Sequence, residues 1–129
     1  MEAVKGNWEN GKNEAEAALR RLNTVRNKEP QPSLLVLQRK VDELKKEVVN
    51  FGTAQRFLLE KGSGKLSDEE RSGYVRAYDQ LVDRMHEELD IALEMVHLLE
   101  NPAPTVDQSI INEKSSVSRY KGIIEYKLN

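Results

Sequence analysis

The chain contains no cysteine, and this absence excludes disulfide bonds, thiol catalysis and cysteine-ligated metal sites. Aromatic residues make up only 5% of its 129 residues. No apolar run approaches the roughly 20 residues that cross a bilayer, and the first residues lack the hydrophobic stretch of a signal peptide. We therefore expect a cytoplasmic, intracellular protein with no membrane partner.

A clear excess of one charge sign is also missing, because 20 Lys and Arg residues face 22 Asp and Glu residues, for a net charge of −2. Nucleic-acid-binding domains usually carry a clear positive charge. Acidic residues also interrupt the basic clusters of this chain, and no aromatic residues lie among them for base stacking. We expect no nucleic-acid binding.

Apolar residues do recur every three or four positions, which is the pattern of amphipathic helices. The clearest segment follows Ser33, a favourable N-cap, and stops before Gly62, so it predicts a helix over 34–61. Gln55 takes the one polar position in the apolar stripe of this helix. At Gly52, inside the helix, we expect close packing or a slight bend. The apolar positions are Leu34, Leu37, Val41, Leu44, Val48, Phe51 and Leu58.

The next segment begins with a capping box, in which Ser67 caps the helix and Glu70 reaches back to the cap. Its apolar positions average about 3.6 residues per turn and end before Pro102, which predicts a helix over 68–100. The connection at 62–65 (Gly-Ser-Gly-Lys) lacks the outer glycine and the Ser or Thr of a phosphate-binding loop. We interpret it as a hairpin turn that makes the two long helices antiparallel.

A weaker apolar pattern predicts a first helix over about 13–28, with Asn13 as its cap. Trp8 either lies outside this helix or extends it toward the N-terminus across Gly11. A lone Trp near a helix start is more often a core anchor than a binding residue. The apolar positions are Ala15, Ala18, Leu19, Leu22 and Val25.

The last 29 residues allow two interpretations. A second capping-box match at 105–108 and mostly helical apolar spacing predict a fourth helix over 106–126. The end of the same segment also alternates between apolar and polar residues, so a short helix followed by a strand stays open for 115–129. Such a strand could pack on its own bundle or add to the sheet edge of a partner.

Short connections between long helices place consecutive helices side by side and antiparallel. We therefore predict an all-α, up-down-up-down four-helix bundle with coiled-coil-like seams, forming one domain over 1–129. The fallback is a three-helix bundle with an extended or strand-like C-terminal tail.

The small net charge hides a strong asymmetry. Residues 67–100 carry three basic and ten acidic residues, a net charge of −7, against +5 for the rest of the chain. Within the third helix, five carboxylates follow at steps of 4, 4, 3 and 4 and so share one face. We call them the acidic ridge: Asp79, Asp83, Glu87, Asp90 and Glu94.

Like charges at this spacing repel one another, so cations should lie nearby. One interpretation is ion pairing across the hairpin, as between flanking positions of coiled coils. We favour it because a charge run is usually a solvated face. The second is an external basic or amphipathic partner. The basic residues of the second helix that could form ion pairs with the ridge across the hairpin are Arg39, Lys40, Lys45, Lys46 and Arg56.

The chain offers little for catalysis. Its two histidines, His86 and His97, are about three turns apart on one helix, roughly 16 Å, which is too far for one metal ion. Glu94 and His97 match half of a di-iron carboxylate motif, but no other helix supplies a second histidine. Acid–base catalysis by a pair of carboxylates requires an apolar pocket that raises the pKa of one of them. The sequence predicts no such pocket around its neighbouring carboxylates. We expect no metal, no cofactor and no enzymatic activity.

The sequence thus predicts a non-enzymatic protein-binding or regulatory module whose acidic ridge contacts a basic or amphipathic protein partner. The alternative is a structural homo-oligomer that assembles through the seams of its long helices.

Overall fold

In a computed structural model that describes residues 1–101, the chain forms three packed helices. These are α1 (Glu2–Arg26), α2 (Leu34–Lys61) and α3 (Asp68–Glu100). The expected all-α class is confirmed over this range, and the three-helix bundle of the fallback fits it. The proposed fourth helix over 106–126, and the strand alternative at 115–129, lie outside the described residues.

The starts of α2 and α3 are capped as predicted. The Ser33 hydroxyl accepts a hydrogen bond from the Val36 amide at 3.2 Å. At α3, the Glu70 amide donates to Ser67 Oγ and the Ser67 amide donates to Glu70 Oε1, each at 3.0 Å. Gly64 has φ +78° in the connecting turn, which explains the need for glycine there. Both long helices therefore have the predicted bounds.

The predicted start of α1 at position 13 was wrong, because the helix begins at Glu2. The alternative, in which Trp8 belongs to a helix that extends across Gly11, is confirmed. Asn13 is an exposed residue inside the helix and caps nothing. Trp8 is 3% exposed, so the first half of α1 is held by burial of this large ring. That packing outweighs the unfavourable helix propensity of Gly6 and Gly11, about 1 kcal/mol each.

The three helices share one core, to which each contributes its apolar stripe. Leu22, Leu37, Leu44, Phe51 and Met85 are among its fully buried side chains. Burial of such side chains is the dominant stabilising contribution in a bundle of this size.

An aromatic cluster closes one end of this core and explains the polar interruption in the α2 stripe. Trp8 Nε1 donates a 2.8 Å hydrogen bond to Oε1 of Gln55, and both side chains are buried. The Trp8 ring meets Tyr74 edge-on at 4.7 Å and lies 5.3 Å from the ring of Phe51. Phe51 also packs on Tyr78, at 5.0 Å between ring centroids. Gln55 therefore satisfies the indole donor of the cluster.

Two glycines let the helices approach this cluster closely. A Cβ added at Gly52 would lie 3.2 Å from the Tyr78 hydroxyl, so the expected close packing at this position is confirmed. At Gly11, a Cβ would contact Ala54 and Phe51 at 3.4 Å.

The two ends of the bundle differ in how much of α3 is covered. At one end Lys5 contacts Glu70, and all three helices are present; we call this the closed end. At the other end α1 stops at Arg26, beside Glu88, while α3 continues for about three more turns. We call those last turns of α3, with the loop at 27–33, the open end.

Candidate functional site

The acidic ridge lies on the outside of α3, and all five of its carboxylates are exposed. At 100° per residue they occupy an arc of about 80° on the helix, well separated from the buried stripe. None of them forms an ion pair with any residue of the range 1–101. The ridge is thus a continuous surface of negative charge along the middle and end of the helix.

The expected ion pairing across the α2–α3 hairpin was wrong for the described residues. Lys40 pairs within its own helix, at 3.5 Å from Glu43, and no salt bridge joins the other four basic candidates of α2 to the ridge. The reason is geometric, because α3 presents its ridge on the side turned away from α2 and its apolar stripe toward it.

Glu43 instead forms ion pairs with one cation of α1 and one of α2. Arg21 of α1 donates to its Oε2 at 2.8 Å, and Lys40 lies on its other oxygen. Partial desolvation acts to raise the pKa of Glu43, but the hydrogen bond and charge of Arg21, helped by Lys40, hold that pKa below its usual range. Of the five basic candidates on α2, Lys40 is therefore engaged by Glu43 and not by the ridge.

One carboxylate of α3 has a structural role that the charge pattern did not predict. Glu88, directly after Glu87 of the ridge, is 6% exposed. Arg26 donates to it through Nε at 2.5 Å and through a second guanidinium nitrogen at 3.2 Å, and Asn23 Nδ2 donates at 3.1 Å. This group fixes the end of α1 against α3. Its signal in the sequence is the spacing from Met85 and to Ala92, which puts Glu88 beside the buried stripe.

An amphipathic groove, which no pattern in the sequence predicted, runs along α3 next to the ridge. Its apolar floor on α3 consists of Ile91, Met95 and Leu98. Two ridge carboxylates, Asp90 and Glu94, line its rim. The end of α1 and the following loop form the opposite wall, which includes Arg26, Asn27, Lys28, Glu29 and Gln31.

This groove exists because α1 ends early. Ile91 is 46% exposed, although it belongs to a helix whose neighbouring face is fully packed. Farther back along α3, a smaller depression between α1 and α3 shares Ile91 and brings in Glu87, Arg20 and Arg84. The surface beside the ridge thus combines the exposed Ile91 and the half-buried Met95 and Leu98 with an acidic rim on α3, while cations lie mainly on the α1 side.

The histidines do not add to a metal site in the part of the chain that the structure describes. His86 and His97 are both exposed on α3. Over residues 1–101, no three histidine, aspartate or glutamate side chains converge so that they could hold one ion. None of the three described helices is apolar over a long enough stretch to cross a membrane.

Comparisons with known proteins leave the site to be judged on its geometry alone. No family model, no curated protein and no solved structure matches this chain. The candidate site is therefore the acidic ridge together with the groove beside it.

Proposed function

We propose that the protein is a non-enzymatic binding module whose acidic ridge and adjoining groove bind a basic amphipathic helix of a partner protein. The observation that carries this proposal is the exposed ridge, whose carboxylates have no salt-bridge partner within residues 1–101. A field of this kind attracts a cationic partner and orients it on approach.

The groove supports the same kind of partner. Exposed apolar side chains next to a charged rim are typical of surfaces that bind an amphipathic helix, whose apolar face enters the groove while its cations meet the rim. Ile91, Met95 and Leu98 follow at steps of four and three, which is the spacing that a second helix can pack against. The ridge thus supplies attraction and orientation, and the groove supplies buried apolar area.

The alternative, assembly of copies through the long-helix seams, has less support. Seam residues such as Leu37, Leu44 and Met85 are fully buried between the helices of one chain. They have no free face for a second copy, so we favour binding of a different protein.

Binding of a synthetic peptide tests the proposal. The probe is a helical peptide of Lys and Leu with an amphipathic pattern, and its control is a scrambled peptide of the same composition. In the full chain, Lys114, Arg119, Lys121 and Lys127 are changed to Gln, so that only the peptide supplies cations outside residues 1–101. We expect the amphipathic peptide to bind more tightly than the scrambled one, with an affinity that falls as salt rises.

Charge reversal locates the binding surface. In that chain, Asp83→Lys with Glu87→Lys should weaken peptide binding about tenfold or more, because two attractions become repulsions. The matched control reverses two exposed carboxylates of α2, Asp42→Lys with Glu60→Lys, and should change affinity much less. Equal effects of the two reversals, or no preference for the amphipathic peptide, would contradict the proposal.

A further inference from the structure

We propose that the closed end of the bundle carries a second site, a pocket between α2 and α3 that binds a phosphate group. Two arginines line it, Arg56 of α2 and Arg71 near the start of α3, and we call it the arginine pocket. It shares no residue with the acidic ridge or with the groove at the open end. The proposal therefore stands apart from the binding function proposed above.

One wall of the arginine pocket is a single strip of α2 and of the turn that follows it. Its members recur every three or four residues, so they share one side of the helix. Arg71 of α3 lines the facing side. The wall on the side of α2 consists of Gly52, Gln55, Arg56, Leu59, Glu60 and Ser63.

The buried amide of Gln55 is the observation that points to a ligand. Its side chain is 7% exposed, and its Oε1 accepts the hydrogen bond of the Trp8 indole. This bond fixes the orientation of the amide, so the two N–H donors of Nε2 lie on the other side. Within residues 1–101 no acceptor bonds to Nε2, although buried donors are nearly always paired. Because Gln55 lines the arginine pocket, a ligand with oxygen acceptors would satisfy this amide there.

The two arginines supply the charge for such a ligand. Both are exposed, and neither forms a salt bridge with a carboxylate of residues 1–101. Guanidinium groups bind oxyanions through paired hydrogen bonds, and here they come from two different helices. The Ser63 hydroxyl at the pocket wall is a further donor. Donors that approach from several sides suit a tetrahedral phosphate group better than a planar carboxylate.

One lining residue opposes an anion. Glu60 lies one turn after Arg56 in α2, so the lining carries two positive charges against one negative charge. In the described part of the chain its carboxylate pairs with neither arginine. Glu60→Gln removes this repulsion and should strengthen phosphate binding about threefold.

Titration of the full chain with inorganic phosphate, followed by nuclear magnetic resonance of the side-chain amides, tests the proposal. The Nε2 signal of Gln55 should shift as phosphate is added and should reach saturation. Acetate at the same ionic strength is the control anion and should shift this signal much less. Glycerol phosphate, a phosphate monoester, distinguishes two sources of the ligand. Tighter binding than that of inorganic phosphate indicates a phosphorylated small molecule, and equal or weaker binding indicates free phosphate.

Charge variants locate the site. Arg56→Gln and Arg71→Gln should each weaken phosphate binding about fivefold or more, because each removes a guanidinium that pairs with the oxyanion. The matched controls are Arg39→Gln and Arg76→Gln, which change exposed arginines of the same two helices outside the arginine pocket. Each control should change the affinity less than about twofold, since exposed charges at a distance are screened by salt.

Four results would overturn the proposal. The first is a Gln55 signal that phosphate does not move, and the second is a shift that never saturates, which indicates nonspecific ion binding only. The third is equal affinity for phosphate and acetate, and the fourth is an equal effect of the pocket and control arginines. All four arginine variants change exposed side chains, so the fold of the unaltered chain should be kept in each of them.

Discussion

The closed and open ends of the bundle use the same helix α3 in different ways. At the closed end, Tyr74 and Tyr78 pack on an aromatic cluster, and the indole donor of Trp8 is satisfied by Gln55. At the open end, α3 continues past α1 and leaves Ile91 46% exposed beside a row of carboxylates. The difference shows that the same helix buries aromatic rings at the closed end and leaves apolar surface exposed at the open end, which is the surface we propose for binding.

The largest effect should come from truncating the aromatic cluster. Phe51→Ala removes a fully buried ring and should lower the free energy of unfolding by about 3–5 kcal/mol. Ile91→Ala at the open end should lower it by less than about 1 kcal/mol, because the side chain is already half exposed. Urea denaturation of both variants measures the contrast, and similar losses would contradict the division between the two ends.

The next effect should come from Glu88, which joins α1 to α3 between the two ends. Glu88→Gln leaves the half-buried Arg26 without its carboxylate and should lower the free energy of unfolding by about 2–3 kcal/mol. Its neighbour on the ridge provides the control, since Glu87→Gln should change stability by less than about 0.5 kcal/mol. If the two variants have the same denaturation midpoint, Glu88 does not hold α1 in place.

A smaller effect concerns the buried hydrogen bond of the closed end. Gln55→Leu leaves the Trp8 indole donor without a partner and should lower the free energy of unfolding by about 1–2 kcal/mol. Thr53→Leu, at an exposed position of the same helix, is the control for helix propensity. Trp8 fluorescence follows unfolding and also reports any change around the indole. If Gln55→Leu is as stable as the unaltered chain, the hydrogen bond between Trp8 and Gln55 does not contribute to stability.

The smallest effect should appear in the pH dependence of stability. The pKa of Glu70 is held low by the Ser67 amide and by Lys5, and the pKa of Glu43 is held low mainly by Arg21. A carboxyl pKa that is lower in the folded state stabilises the fold above its unfolded value of about 4.5. That stability is lost as the pH falls through the folded pKa.

The melting temperature should therefore fall between pH 5 and pH 3, and it should fall less in Glu43→Gln than in the unaltered chain. Asp42→Asn changes an exposed neighbour on the same helix and should leave the slope unchanged. An identical slope in Glu43→Gln would show that its ion pairs contribute nothing to the acid sensitivity.

Local signals in the sequence predicted most of the fold. Capping residues and the apolar stripe located both ends of α2 and α3, because Ser33, Ser67 and the glycine turn act within a few residues of where they stand. The start of α1 could not be located this way. It depends on Trp8 meeting Phe51 and Gln55, residues more than 40 positions away, and this tertiary contact overrides local helix propensity.

The candidate site was predictable only in part, for a similar reason. Helical spacing alone places the five ridge carboxylates on one exposed face. The groove beside them depends on where α1 stops relative to α3, and that offset is set by the contact of Arg26 and Asn23 with Glu88. No pattern within α3 reports it, so the apolar floor at Ile91 and Leu98 was not expected.

The most direct test of the binding surface is to map, by nuclear magnetic resonance, where the basic amphipathic peptide contacts the full chain with Lys114, Arg119, Lys121 and Lys127 changed to Gln. Binding at the open end predicts the largest chemical-shift changes at Glu87, Ile91 and Leu98, with little change at Val49 on the outside of α2. Changes centred on α2, or spread evenly over the three helices, would contradict the proposed binding surface.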